Sequence, residues 1–159
     1  MFFSTTTKLI RYSIKSLNFL TPIGDLLARC WIAYIFFSAG LLKIQSWETT
    51  LSLFAYEYHV PLLSPYLAAI FGTAAELILP VLLVLGLGGR FCIFIFFIYN
   101  IVAVISYPFL LMPEGSMGLK DHISWGLLLM MLMFHGSGKL SIDYWLYKKH
   151  HGPLSPTTY

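Results

Sequence analysis

YLAAIFGTAAELILPVLLVLGLG, residues 66–88, is an almost unbroken run of apolar side chains. About 20 such residues in a helix are enough to cross the hydrocarbon core of a bilayer. Glu76 lies near the middle of this run, where a carboxylate is costly unless it is protonated, paired or facing a polar cavity. The run therefore predicts a membrane-spanning helix, and Glu76 marks a candidate functional position inside it.

The composition of the whole chain agrees with a membrane protein. Of its 159 residues, 58% are hydrophobic and only 11% are charged, whereas soluble domains average roughly 45–50% apolar and about 25% charged residues. The mean hydropathy is +0.76. The net charge of +3 does not indicate nucleic-acid binding, because the basic residues flank apolar runs, where membrane topology and lipid headgroups account for them.

Four apolar runs predict an all-α integral membrane four-helix bundle, which we expect to occupy residues 25–147. The predicted helices cover residues 26–44, 66–87, 91–111 and 120–137. Residues 1–24 form a basic amphipathic arm, expected to lie on an anionic membrane surface and to be separated from the first helix by a break at Thr21–Asp25. An interfacial helix over residues 140–147 and a polar tail, 148–159, complete the chain.

Positive charges predict the orientation. They flank the start of the first helix, the second turn at Arg90 and the end of the last helix at Lys148, while the acidic residues Glu48, Glu57 and Glu114 fall in the other connectors. Since cytoplasmic loops of membrane proteins are enriched in Lys and Arg, both termini are expected to be cytoplasmic. The predicted location is the bacterial inner membrane.

Several short motifs, in this order and spacing, resemble the DoxX-like family of small four-helix membrane proteins. They are Arg29, FSAGLLK at 37–43, Val60-Pro61, Glu76, LGL at 85–87 before Arg90, and GSGKLSID at 136–143. The resemblance covers about residues 25–145. Family members are similar to the membrane subunit of thiosulfate:quinone oxidoreductase, so the resemblance implies membrane redox chemistry without fixing a substrate.

A polar pocket inside the bundle is the candidate site. Antiparallel helices would place Glu76 at the same depth as Ser38 and Asn100, with Tyr34 nearby, and a quinone headgroup would suit such a place. Glu76 is the expected proton donor or acceptor. The remaining candidate pocket residues are Arg29, Lys43, His122 and Trp125. Arg29 or Lys43 could pair with Glu76, and both could instead extend toward lipid headgroups. The alternative is that these polar groups only form interhelical hydrogen bonds.

Other cofactors have no support in the sequence. No two histidines share a helix face at metal-ligand spacing, and no haem or flavin motif is apparent. Cys30 and Cys92 are expected to be small apolar core residues rather than a redox pair.

Three functions fit this pattern. The first is a subunit of a membrane redox system that binds quinone and receives electrons from a soluble partner. The second is a non-enzymatic membrane anchor or assembly partner. The third is a small transporter, which would need to be a homo-oligomer because four helices leave little room for a path.

Overall fold

The computed structural model of the protein describes residues 2–136 and 138–151, with side chains for residues 10–136 and 138–150. This part of the chain is all helical and contains no strand. The α-helices are α1 (Phe2–Gln45), α2 (Trp47–Tyr56), α3 (Pro65–Leu85), α4 (Gly89–Ser106), α5 (Ser116–His135) and α6 (Ile142–His151). Two short 3-10 helices, Pro108–Leu111 and Pro113–Gly115, connect α4 to α5.

Three helices in the described part of the chain are long and apolar enough to cross a membrane. They are Ile10–Gln45 within α1, Pro65–Leu85 and Gly89–Ser106. α5 is also 20 residues long, but its first turns carry Lys120, Asp121 and His122, which lower its hydropathy. The chain is thus an integral membrane protein, and its described residues are arranged in helices, three of which are candidate spans.

Side chains from α1, α3, α4 and α5 meet in one core. The fully buried members of the core are Ile32, Phe36, Leu83, Ile93, Phe96, Leu129 and Leu132. α1 packs mainly on α3, α4 mainly on α5, and α2 packs on α3. Because lipid is as apolar as this core, close packing rather than exclusion of water holds such helices together. The many exposed apolar side chains on the outside are what a lipid-facing surface requires.

The turn between α3 and α4 depends on glycine. Gly86 has a φ of +64°, and the main-chain N–H groups of Gly86 and Leu87 donate to the carbonyls of Leu83 and Leu82, as in a Schellman helix end. A Cβ at Gly86 would lie 2.4 Å from the Cβ of Ser141 and 2.6 Å from Nη1 of Arg29. Both the left-handed conformation and the lack of space therefore require glycine here.

The predicted break between the arm and the first helix is wrong, because α1 runs without interruption from Phe2 to Gln45. Pro22 lies inside the helix, and Thr21 Oγ1 donates to the Leu17 carbonyl over 3.1 Å. Proline removes one main-chain donor and crowds the preceding turn, but the residues on both sides continue as helix. One missing hydrogen bond did not end the helix.

Other predicted boundaries shift by a few residues. α4 ends at Ser106 rather than 111, because Pro108 starts a separate 3-10 turn. α5 begins at Ser116, four residues before the predicted start. The connector after α1 contains the helix α2, and α6 extends to His151, so the first part of the predicted polar tail is helical. Residues 152–159 lie outside the described residues.

Replacing Gly86 with alanine should destabilise the protein by about 1–3 kcal/mol, the range for a residue forced into an unfavourable backbone conformation. Gly24→Ala is the matched control, because nothing lies within 4 Å of a Cβ at that position. Thermal unfolding in detergent should show a lower midpoint for Gly86→Ala and an unchanged or higher one for Gly24→Ala. Equal midpoints for the two variants would contradict this account of the turn.

Candidate functional site

Arg29 is fully buried with 0% exposure, so it does not extend toward the headgroups as the sequence suggested. Its guanidinium donates to the main-chain carbonyls of Leu83 (3.4 Å) and Val84 (3.2 Å) at the end of α3. It also donates to the Leu140 carbonyl, 2.5 Å away. The last carbonyls of a helix have no partner within the helix, and Arg29 supplies one. It joins α1, α3 and the segment that precedes α6.

The segment after α5 is held against the same end of the helices. Ser141 Oγ donates to the Gly138 carbonyl and accepts from the N–H of Tyr144, and the Asp143 N–H donates to the Gly86 carbonyl over 3.4 Å. At this end His135 Nε2 also lies 3.3 Å from Asp25 Oδ2. The start of the packed part of α1, the end of α3 and the start of α6 are therefore at one end of the molecule.

Glu76 is paired with Lys43 rather than with Arg29. Lys43 Nζ lies 2.5 Å from Glu76 Oε2, and the two side chains are 17% and 10% exposed. The pair joins α1 to α3 where the helices approach closely, since a Cβ at Gly40 would lie 3.0 Å from the Cβ of Glu76. Of the two partners considered from the sequence, Lys43 is the one that the fold brings to Glu76. A buried charge with a partner is tolerated in a membrane where an unpaired one is not.

α2 and its connector cover the Lys43–Glu76 pair from one side. Thr50 of α2 is buried and its hydroxyl donates to the Lys43 carbonyl over 3.0 Å. Tyr99 of α4 donates to the Gly72 carbonyl over 3.2 Å. In the connector, burial is the main factor that raises the pKa of Tyr58, with further contributions from Tyr107 and Glu76. Tyr58 therefore stays protonated and uncharged beside the pair.

Two predicted pocket residues lie elsewhere. Tyr34 is 69% exposed and Ser38 is also exposed, so both are on the outer surface of α1 and do not line an internal pocket with Glu76. They share a helical stripe with Cys30, which is exposed, whereas Cys92 is buried and both thiols are free. The prediction for Tyr34 and Ser38 rested on their position along the helix, which does not determine which face of the helix points inward.

Asn100 and His122 form a second, separate polar pair between α4 and α5. The Asn100 amide nitrogen donates to the main-chain carbonyl of His122 over 3.0 Å. This fixes the amide orientation, so Asn100 Oδ1 faces His122 Nδ1 at 2.8 Å. Because an amide oxygen only accepts, Nδ1 must carry the hydrogen, which leaves Nε2 of the neutral ring as an acceptor. Phe36 and Trp125 pack edge-on against this imidazole, with ring centroids 6.3 and 4.7 Å away.

An open groove of about 290 Å³ runs between α4 and α5 beside this pair. Asn100, His122 and Gly126 line it together with apolar side chains. The remaining lining residues are Phe97, Ile101, Val104, Ile105, Leu119, Ile123, Leu127 and Met130. Asn100 is 4% exposed, and a Cβ at Gly126 would lie 3.1 Å from its amide nitrogen. The glycine therefore brings the two helices close together at the depth of the amide.

The sequence-predicted site is thus three separate groups in the structure. Arg29 holds main-chain carbonyls, Lys43 pairs with Glu76, and Asn100, His122 and Trp125 come together at the other side of α4. Sequence reasoning missed the groove and Gly126. The spacing of His122 and Gly126, one turn apart on α5, was the available signal. No group of three potential metal ligands occurs among the described residues.

Arg29→Lys should loosen the segment before α6, because lysine cannot reach three carbonyls with a planar fork. Each hydrogen bond to a charged group contributes about 1.5–3 kcal/mol, so amide hydrogen exchange over residues 140–145 should accelerate roughly tenfold or more. Arg90→Lys is the control, since Arg90 is exposed. Unchanged exchange in Arg29→Lys would show that other contacts hold this segment.

Lys43→Met should destabilise the protein by about 3–5 kcal/mol, because it leaves the carboxylate of Glu76 buried without its partner. The double variant Lys43→Met/Glu76→Met should recover most of this loss, since both charges are then removed. A double-mutant cycle of unfolding free energies in detergent measures the coupling. Additive effects of the two single substitutions would show that the pair contributes nothing beyond its separate members.

Comparison with protein-family models matches residues 24–108, more than half of the chain, to the family described as DoxX. The match includes Arg29, Lys43, Glu76 and Asn100 and ends before α5. No curated protein and no solved structure matches the chain.

Proposed function

This chain belongs to the DoxX family, and on that premise we propose that it is a subunit of a membrane redox system that binds a quinone between α4 and α5. The observation that carries the proposal is the groove of about 290 Å³ with the Asn100 amide at its wall. Ligand sites are typically clefts of about 300 Å³ or more, largely apolar with a few placed polar groups. A groove at the low end of this range suits a headgroup whose tail remains in lipid.

Asn100 has a donor to offer a ligand. Its amide nitrogen carries two hydrogens, and within the described residues one hydrogen bond accounts for it, the one to the His122 carbonyl. A quinone carbonyl is an acceptor, so it could take the second hydrogen. The apolar side chains along the groove, such as Ile101, Ile105 and Leu127, would contact the ring and the first isoprenoid units.

Quinone reduction takes up two electrons and two protons. In this proposal the electrons come from a soluble redox partner, and His122 is the titratable side chain nearest the headgroup. Glu76 is an ionised carboxylate in its pair with Lys43, so it could supply a proton only after the pair opens and the carboxylate has taken up a proton. The proton role that the sequence suggested for Glu76 is therefore assigned first to His122, with Asn100 fixing the orientation of its ring.

The proposal includes four membrane spans. α5 would be the fourth, since 20 residues extend about 30 Å at 1.5 Å per residue, the thickness of the hydrocarbon core. Its polar start is partly accommodated because His122 bonds to Asn100. With Arg90, Lys148 and Lys149 on the cytoplasmic side, both termini would be cytoplasmic in a bacterial inner membrane.

Leu127→Trp should reduce quinone binding, because the larger side chain would fill the groove. Leu127 lines the groove and is 53% exposed, so the change leaves the core intact. Met131→Trp is the matched control: it is one turn further along α5, is 67% exposed and is not a groove residue. Mass spectrometry of quinone retained by gently purified protein should show a loss of roughly tenfold for Leu127→Trp only.

Asn100→Leu tests the headgroup contact. Losing one hydrogen bond of about 1 kcal/mol should weaken binding roughly fivefold, and thermal unfolding checks that the variant remains folded. If folded wild-type protein retains no quinone and binds none when it is added, the proposed site is wrong.

A membrane anchor or assembly partner is the second candidate function. It is favoured by the observation that Lys43 pairs with Glu76, and Asn100 with His122, within the protein, because such contacts between helices are also what an inert scaffold requires. Cross-linking from α2 and from α6 in native membranes would identify partner proteins. An anchor should keep its partners when Leu127→Trp blocks the groove, and loss of those partners in this variant would argue against a purely structural role.

A further inference from the structure

α1 is much longer than a membrane is thick. Its 44 residues extend about 66 Å at 1.5 Å per residue, whereas the hydrocarbon core is about 30 Å thick. The part of α1 that packs on other elements begins at Asp25, which lies 3.3 Å from His135. Residues 25–45 alone extend about 31 Å and account for the span. Residues 2–24 must therefore lie outside the hydrocarbon core or along its boundary.

The described side chains of this N-terminal part make no packed interface. Residues 10–20 are all exposed, and the exposed side chains include Ile10, Ile14 and Leu17. These three are spaced four and three residues apart and so form one apolar stripe along the helix. If this part of the helix projected straight into water, the stripe would be a contiguous exposed apolar surface, and such surfaces mark interaction sites.

The charges of this part all have one sign. Arg11 and Lys15 are exposed and lie on a different face from the apolar stripe, one turn apart. The sequence has no Asp or Glu before Asp25. A helix with an apolar stripe and a purely basic polar face fits the boundary of an anionic leaflet, where lipid headgroups attract Lys and Arg. Tyr12 and Phe19 lie on the face opposite the stripe, so their rings would be on the water side of the helix.

The residues between the two parts of α1 can accommodate a bend. Pro22 has no N–H, so the Asn18 carbonyl lacks its helical partner. Nothing lies within 4 Å of a Cβ built at Gly24, so the helix has open space on that side. Sharp helix kinks occur at proline and glycine positions of this kind.

We infer that residues 2–20 form a lipid-binding arm, which a kink at Pro22–Gly24 bends, without ending helix α1, onto the anionic headgroups of the leaflet at this end of the protein. α6 is at the same end, because the Asp143 N–H donates to Gly86. It carries an exposed Trp145 with Lys149 Nζ 5.3 Å above its ring. The arm and α6 would therefore both contact the headgroup layer at this end of the protein. The inference is independent of quinone binding.

Spin labels on opposite faces of the arm test this arrangement. The full chain, with Cys30→Ser and Cys92→Ala, would carry a nitroxide at Leu17→Cys or at Tyr12→Cys in nanodiscs with and without phosphatidylglycerol. With the anionic lipid, the label at position 17 should collide mainly with oxygen dissolved in lipid, and the label at position 12 mainly with a water-soluble nickel complex. The two labels should differ severalfold in the ratio of these accessibilities.

Lys15→Gln should reduce the effect of phosphatidylglycerol on the position-17 label, and Lys120→Gln, which removes another exposed lysine, should not. The inference is overturned if both labels are equally accessible to the nickel complex in anionic nanodiscs, as a projecting helix would give. It is also overturned if the position-17 label shows dipolar broadening that grows with the number of protein copies per disc, because the arm would then bind a second copy of the chain.

Discussion

A bilayer offers no water to a polar group in its interior, and the arrangement of this protein follows from that constraint. Among the described residues, three sets of buried polar side chains on the four long helices are placed opposite protein groups that satisfy them, whereas the hydroxyls of Thr73 and Ser106 have no hydrogen-bond partner. Lys43 and Glu76 neutralise each other, Asn100 and His122 exchange hydrogen bonds, and Arg29 finds main-chain carbonyls. The partner is an opposite charge at Glu76, a neutral side chain at Asn100 and the main chain at Arg29. The three groups therefore differ in which substitutions they tolerate.

The polar contacts also divide the helices into two pairs. The Lys43–Glu76 pair lies between α1 and α3, which pack closely at Gly40, and the Asn100–His122 pair lies between α4 and α5. The aromatic ring of Phe36 touches the second group from α1. One pair of helices is joined by the ion pair between Lys43 and Glu76, and the other carries neutral hydrogen bonds next to an open groove. An uncharged lipid-soluble ligand can bind next to neutral polar groups at a lower desolvation cost than next to charged groups.

The sequence was sufficient to predict an all-helical integral membrane protein that resembles the DoxX family. Apolar runs and their Gly and Pro boundaries located α3 and α4 to within a few residues, since these signals are local. The same local rules failed at Pro22, because they do not weigh one missing hydrogen bond against a long helical run on each side. They also failed for Tyr34 and Ser38, where the hydrophobic pattern is too uniform to show which face packs inward. In a membrane both faces of a helix are apolar, so amphipathic periodicity gives little information about orientation.

The partners of individual polar residues were harder to predict than their positions. Lys43 and Arg29 were both possible partners for Glu76, and the choice depends on the close approach of α1 and α3 at Gly40. The role of Arg29 depends on Leu140, 111 positions away in the chain, and no local pattern contains that information. The groove depends on the distance between α4 and α5, which approach each other closely at Gly126.

Arg29 has a consequence for how the sequence of this protein can vary. Its three acceptors are backbone oxygens, which every amino acid provides. Leu83, Val84 and Leu140 can therefore be exchanged for other apolar residues without any compensating change at Arg29, whereas Lys43 and Glu76 can change safely only together. Analyses that search for correlated substitutions would find the ion pair and overlook the arginine, although both connect helices that are distant in the chain.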